Sequence, residues 1–285
     1  ETVKARPLMA FNSTEPTMYP DIAEAVAYCS FHNMPSAITT GGYALGKVAK
    51  DLAKAGLTRL NLSIDGPPEV HNQIRGRSDS FEKSIEGAKE FLEHSKALNK
   101  TSEVTINCTI TNLNAHALPE LYNSISDLDF SSLNLTLMWF LSPNMTAEQN
   151  KLFGNQFPVS TSCFDEYINP LEIDIEKLCD DISVLSKKRN VVFSRQPNKT
   201  WLEKFHYQSN EFMEPNAGCM ASWFFPQILA DGRVGVHTRC HNQTFGNIYD
   251  EPLLKIWNGD KMKKWRSFIK AQKKMPMCKR CDLVY

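Results

Sequence analysis

The sequence lacks a net charge: its 285 residues carry 32 Lys and Arg against 32 Asp and Glu. No global field therefore draws it to nucleic acid or to an anionic membrane surface. It also lacks any apolar run near the roughly 18–20 residues that span a bilayer. Residues 1–15 lack the basic start and apolar block of a secretory signal, and internal repeats and low-complexity tracts are missing as well. What remains is one large globular domain, or a large one with a small one. The chain opens on Glu1 rather than Met and reaches the strand-like run Pro7–Phe11 almost at once, which predicts a processed chain or a fragment.

Eight cysteines are present. An even number permits a disulfide framework, and sequons occur at Asn12, Asn61, Asn107, Asn134 and Asn242. Asn61 and Asn107, however, fall inside strand-like runs where a glycan has no room, and a chain of this size needs no disulfides to be stable. A reducing, cytoplasmic setting is predicted. Cys219, Cys240, Cys278 and Cys281 gather in the last 67 residues, the final pair as a Cys-x2-Cys knuckle. Four thiolates can enclose Zn²⁺ or an iron–sulfur cluster, and the cysteines alone do not choose between them.

Residues 1–195 alternate strand-like and helix-like segments. Helices are predicted over Asp21–Asn33, over Ala44–Ala55 with Gly56 as its stop, along a stripe of Phe81, Ile85, Ala88 and Leu92, weakly near Pro119–Ser126, and along Ile175, Leu178, Ile182 and Leu185. Strands are predicted at Pro7–Phe11, Ala37–Thr40, Arg59–Ile64, Glu103–Thr111, Leu133–Phe140 and Val191–Ser194. Repeated βα units imply parallel strands with right-handed crossovers. Three strands keep one polar face: Asn61 and Ser63 oppose Leu60, Leu62 and Ile64; Thr105, Asn107 and Thr109 oppose Val104, Ile106 and Cys108; Asn134 and Thr136 oppose Leu133, Leu135 and Leu137. A doubly wound sheet is apolar on both faces, and a complete barrel fills its interior with bulky branched side chains. Apolar residues toward the helices with Asn, Ser and Thr inward predict an α/β chain with a partial (β/α)6 TIM-like barrel around a polar ligand. The other reading is an exposed mixed sheet with solvated outer faces.

Residues 142–173 read as an irregular cap and 196–218 as a packed bridge. From 219 onward a hairpin turns at Asp231-Gly232. Helices are predicted over Glu251–Asn258 and Asp260–Gln272, so a small hairpin-and-helix domain occupies 219–285. Lys261–Lys274 interleaves with Met262, Trp265, Phe268 and Ile269, which is a solvated helix face rather than a nucleic-acid patch.

At the strand ends, polar groups recur in order. Asn12-Ser13-Thr14-Glu15-Pro16 follows the first strand, Thr39-Thr40-Gly41-Gly42 the second, and Ser63-Ile64-Asp65-Gly66 the third, with Ile74-Arg75-Gly76 close behind. Ligands bind at the C-terminal ends of barrel strands, and an Arg there can fork onto a carboxylate. Glu15 taken alone also fits a helix N-terminal charge. The ordered set suits a zwitterion held by both of its charges.

These motifs resemble the radical S-adenosylmethionine (SAM) superfamily beyond its first strand. The tail is similar to the twitch form of the SPASM extension through Gly218-Cys219, Asp231-Gly232-Arg233, Gly235-x4-Cys240, Phe245-Gly246-Asn247, Ile256-Trp257-Asn258-Gly259 and Cys278-x2-Cys281. The resemblance implies that Glu15 binds the SAM amino group, that Ser63 and Arg75 hold its ribose and carboxylate, and that Thr39 and Asp65 belong to the same rim. It implies an auxiliary [4Fe–4S] cluster on Cys219, Cys240, Cys278 and Cys281, with no open iron. The superfamily's Cys-x3-Cys-x2-Cys loop, which carries the catalytic [4Fe–4S] cluster, is absent, so the first strand and this loop are expected upstream of residue 1. Candidates for substrate chemistry are Cys163, Asp165 and Tyr167 in the cap, and His206 and Tyr207 in the bridge.

The implied activity is a radical SAM oxidoreductase or maturase acting on a peptide or protein. It would be served by an electron donor such as flavodoxin or ferredoxin, with neither nucleic acid nor membrane as partner. A small-molecule alcohol or aminocyclitol dehydrogenase, or a non-catalytic SAM-fold protein with a structural metal tail, are the alternatives.

Overall fold

The computed structural model describes residues 6–12, 14–155, 169, 172–193, 197–207, 211–213, 218–236 and 243–281. Two compact units result: one from Val3–Met138 with Glu172–Pro197, the other from Trp139–Leu171 with Asn198–Tyr285. Among the described residues no helix is long and apolar enough to cross a membrane.

In chain order the first unit runs β1 (Met9–Phe11), α1 (Ile22–Phe31), β2 (Ser36–Thr40), α2 (Ala49–Ala55), β3 (Arg59–Ser63), α3 (Pro68–Arg75), α4 (Ser80–Ala97), β4 (Glu103–Ile110), α5 (Leu118–Ser124) and β5 (Ser132–Leu137). After α6 (Pro143–Phe153) of the second unit, it resumes with α7 (Ile175–Leu185) and β6 (Val191–Phe193). The sheet order is β1-β2-β3-β4-β5-β6, and every pair is parallel. A doubly wound sheet would reverse its strand order at a switch point; this one never does, as a partial barrel requires.

The two strand faces divide as the alternation predicts. Leu60, Leu62, Ile106 and Leu133 are completely buried, each contributing about 1.5–3 kcal/mol to folding. Register sets Thr39 beside Asn61, Ser63 beside Asn107, and Asn107 beside Asn134, on the opposite face. There Asn61 donates to Thr39 (3.3 Å) and Asn134 to Asn107 (3.0 Å). These amides remain half-buried, which leaves an accessible polar surface inside the curve of the sheet.

Two helices differ from expectation. On α4 the buried stripe is Phe81, Ser84, Ala88, Phe91 and Ser95, whereas Ile85 and Leu92 are only half-buried. Phe81 and Ala88 of the expected stripe are buried, but the helix also packs through Ser84, Gly87 and Ser95, which apolar size does not reveal. In α3 only His71 is fully buried; with so little apolar periodicity the helix was not expected. Its start is nevertheless written in Pro67-Pro68, since Pro suits a first helical turn.

In the second unit, part of the expected irregular cap is helical. In α6 the Ser142 hydroxyl accepts from the Met145 N–H at 3.3 Å, an N-cap that the aperiodic sequence concealed. Further on, α8 (Lys199–Tyr207) occupies the expected bridge, and α9 (Ala221–Phe224) follows. Next come the antiparallel strands β7 (Pro226–Ile228), β8 (Arg233–Val236) and β9 (Thr244–Asn247), then α10 (Leu253–Asn258) and α11 (Asp260–Gln272). Met262, Trp265 and Ile269 of α11 are buried with Val234, Phe245 and Met277 in one core, while Lys261, Lys263 and Lys264 face solvent.

Candidate functional site

The turn after β1 folds Glu15 over the end of β2. Pro16 starts a single 3₁₀ turn, Pro16–Met18, for which Glu15 is the N-cap. Oε1 of Glu15 accepts from the Thr17 N–H (3.1 Å), the Thr17 hydroxyl (2.6 Å) and the Thr40 hydroxyl (2.6 Å), and Oε2 accepts from the Gly41 N–H (2.9 Å). Burial by itself would raise the carboxyl pKa; these bonds outweigh it and hold the group below its ordinary value. Glu15 is therefore an anion at neutral pH, with Oε1 saturated and Oε2 bearing a single donor.

Gly42 has φ +85, and a side chain there would meet Leu62 and Ser84 at 2.6 Å. Glycine is thus required for the chain to turn off β2 and bring the Gly41 N–H onto Glu15. The Ser84 hydroxyl, within reach of the Gly41 carbonyl (2.8 Å), steadies this turn from α4.

Arg75, the last residue of α3, supplies the opposite charge. Its Nε donates to Oδ2 of Asp65 at 2.6 Å. A Cβ built on Gly41 would lie 3.5 Å from Oε2 of Glu15 and 3.8 Å from Nη1 of Arg75. A carboxylate and a guanidinium thus approach the same side of Gly41, and a zwitterionic amino acid fits such a pair of charges. Thr39 and Ser63 lie on the adjoining polar face of β2 and β3, at or next to the strand ends. The spacing of strand-end motifs pointed to Glu15, Asp65 and Arg75; it did not single out Thr40, whose hydroxyl reaches Glu15 from the buried side of the strand.

In the second unit Cys219, Cys278 and Cys281 line one pocket, which encloses about 470 Å³ including its open side and is walled by Trp265, Met275 and Met277. Burial pushes the Cys278 thiol up to about 12, and Cys281 and Cys219 act in the same direction. Such clustered thiols give up their protons only to strong cationic charge. Cys219, Cys278 and Cys281 are soft thiolate donors of the kind that holds zinc or an iron–sulfur cluster. Cys240 lies outside the described residues, as do Cys163, Asp165 and Tyr167.

The knuckle itself is anchored by residues that spacing did not reveal. Arg280, wholly buried, donates to the carbonyls of Phe205 (2.6 Å), Glu211 (2.8 Å), Lys279 (2.8 Å) and Lys204 (3.1 Å). Lys279 donates to Glu148 of α6 at 2.5 Å. His206 sits beside Arg280, buried and neutral, its pKa depressed to about 4 by burial and by that guanidinium. Tyr207, next to it, is about half exposed.

Residues 7–125 match the family model of the radical SAM superfamily, and residues 219–282 match that of the SPASM iron–sulfur cluster-binding domain. Fe-coproporphyrin III synthase of Methanosarcina barkeri is 22% identical over 260 residues, covering 88% of this chain and 61% of that protein. The structure of anSMEcpe with bound AdoMet and Kp18Cys peptide aligns with a TM-score of 0.59 at 20% identity, covering 98% of this chain and 75% of that one. That of Streptococcus suis SuiB bound to precursor peptide SuiA aligns at 0.60 and 18% identity, covering 96% and 60%. The chain thus spans about three-fifths of the first curated relative and of SuiB. The two domains imply SAM and [4Fe–4S] clusters as cofactors. For the catalytic cluster the residues do not fit: the 285 residues contain no Cys-x3-Cys-x2-Cys, and no donor set for it is assigned to this chain.

Proposed function

We propose that this chain, which carries a radical SAM domain followed by a SPASM domain, works in an enzyme that oxidises or crosslinks a peptide or protein substrate. The observation that carries the reading is the pair Glu15 and Arg75, opposite charges flanking the open face of Gly41. In it, the free side of Oε2 on Glu15 takes the SAM ammonium, Arg75 takes its carboxylate, and Ser63 and Thr39 line the approach to its ribose. Asp65 holds Arg75 in place. SAM would yield a 5′-deoxyadenosyl radical and methionine when a reduced [4Fe–4S] cluster gives it one electron; this chain's part in that chemistry is to bind and orient SAM, and none of its residues is assigned to that cluster. The half-buried amides of Asn61, Asn107 and Asn134 orient a polar substrate without adding charge near the reacting atoms. Cys219, Cys240, Cys278 and Cys281 would hold the auxiliary cluster; four protein thiolates would leave it no open iron, which suits an electron-carrying role, and a protein such as flavodoxin or ferredoxin would serve the enzyme as electron donor.

A peptide substrate is favoured by the two solved structures of like fold, each bound to a peptide. A small-molecule substrate is the second reading, because the relative matched over 88% of the chain is named for a porphyrin product. Release of 5′-deoxyadenosine from SAM under dithionite, by an anaerobically reconstituted enzyme that contains this chain together with a catalytic [4Fe–4S] cluster, tests the activity. Stimulation by short cysteine-containing peptides is expected. Stimulation by tetrapyrroles alone supports the second reading, and a protein that holds zinc and never cleaves SAM overturns both.

A further inference from the structure

Asp65 is held by more than its ion pair. His71, completely buried on α3, accepts the Asp65 N–H at Nδ1 (3.1 Å). That nitrogen must carry a lone pair, so the ring proton lies on Nε2, facing the Ser80 hydroxyl at 3.2 Å. The 3.8 Å approach of Nδ1 to the Asp65 carboxylate is accordingly no ion pair. From the other side Asn114, 1% exposed, donates through Nδ2 to the Asp65 carbonyl (2.8 Å) and to the Thr109 carbonyl (2.9 Å). Its Oδ1 accepts from the Thr111 N–H (2.8 Å). Both peptide groups of Asp65 are thus bonded to buried side chains, one from α3 and one from the loop after β4.

Arg75 needs such help. Its side chain is 35% exposed, and a free Arg has much rotamer entropy to lose on ordering. A carboxylate that is itself immobile takes up that cost in the folded chain, before any ligand arrives. We infer that His71 and Asn114 are positioning residues, a buried clamp that fixes Asp65 so that its carboxylate aims the Arg75 guanidinium at the carboxylate of a bound amino-acid group. This rests on the reading of Glu15 and Arg75 as the amino-acid end of the SAM site. Neither clamp residue needs to touch the ligand.

The test is equilibrium binding of SAM and of 5′-methylthioadenosine, which lacks the amino-acid chain, to the anaerobically reconstituted protein. Asn114→Ala and His71→Phe are each expected to weaken SAM about tenfold, the loss of one well-placed hydrogen bond to an ordered ionic group, while leaving 5′-methylthioadenosine within about twofold. His71→Asn, whose amide oxygen can still accept the Asp65 N–H, restores SAM binding. Should Asn114→Ala not fold, Asn114→Asp keeps the volume and the Thr111 bond but removes the donor, and gives the same selective loss. In an Arg75→Ala background, Asn114→Ala or Asn114→Asp costs nothing further. Equal loss of both ligands, full additivity with Arg75→Ala, or unchanged SAM binding in the clamp variants overturns the clamp alone. A wild-type protein that binds 5′-methylthioadenosine and SAM equally, or neither, overturns the reading of Glu15 and Arg75 beneath it.

Discussion

The Thr40 hydroxyl donates to Oε1 of Glu15 at 2.6 Å and accepts from the Gly42 N–H at 2.9 Å. One buried side chain thereby ties the turn after β1 to the glycine turn after β2. Thr40→Val removes both bonds while keeping the volume. A hydrogen bond to a charged group contributes about 1.5–3 kcal/mol, so the variant should bind SAM about tenfold or more weakly, and Glu15→Gln at least as weakly. Isothermal titration with SAM checks this; unchanged affinity in both would remove Glu15 from the site.

Acid should destabilise the protein earlier than its carboxylates require. Burial depresses His71 and His206 to about 4 from 6.5. Between those values the unfolded chain binds protons that the folded chain refuses. Stability is therefore fully present above about pH 6.5 and is lost as pH falls toward 4, by about 2 kcal/mol per histidine between pH 7 and pH 5. Urea midpoints across that range test it, and a flat profile would mean that these rings find partners when protonated.

Arg280→Met should cost about 3 kcal/mol or more, because it strands four carbonyls around a buried site. Arg280→Lys should not restore the loss, since a single ammonium cannot reproduce the planar fork. The denaturation midpoint, followed together with the retained iron, reports both.

Cys278→Ser should abolish about four iron atoms per chain along with their sulfide, as expected for one thiolate-held cluster. Iron, zinc and labile sulfide analysis decides the matter. One zinc per wild-type chain would replace the cluster by a structural metal.

Binary alternation told the two faces of β3, β4 and β5 apart before any coordinates, because side chains in a strand alternate by geometry alone. Helix α11 was equally plain, since Met262, Trp265 and Ile269 recur at helical spacing. The inner face of α4 was legible only in part: Phe81 and Ala88 are buried as the stripe predicts, but the packing also uses Ser84, Gly87 and Ser95, which carry no apolar signal. The N-cap of α6 and the short α3 were hidden for a like reason, being defined by single capping and Pro residues rather than by period.

The sequence by itself determined the order of the strand-end motifs, the polarity of the sheet's inner face and the placing of two thiols in the Cys-x2-Cys knuckle, all of which are local in the chain. Only the tertiary structure decided that Thr40 rather than a neighbour reaches Glu15, that His71 and Asn114 converge on Asp65, and that Arg280 binds the carbonyls of Lys204 and Phe205. Those partners lie 25, 6 and 49, and 76 and 75 residues apart. Their meeting depends on strand register and helix docking, which no spacing rule within one segment encodes.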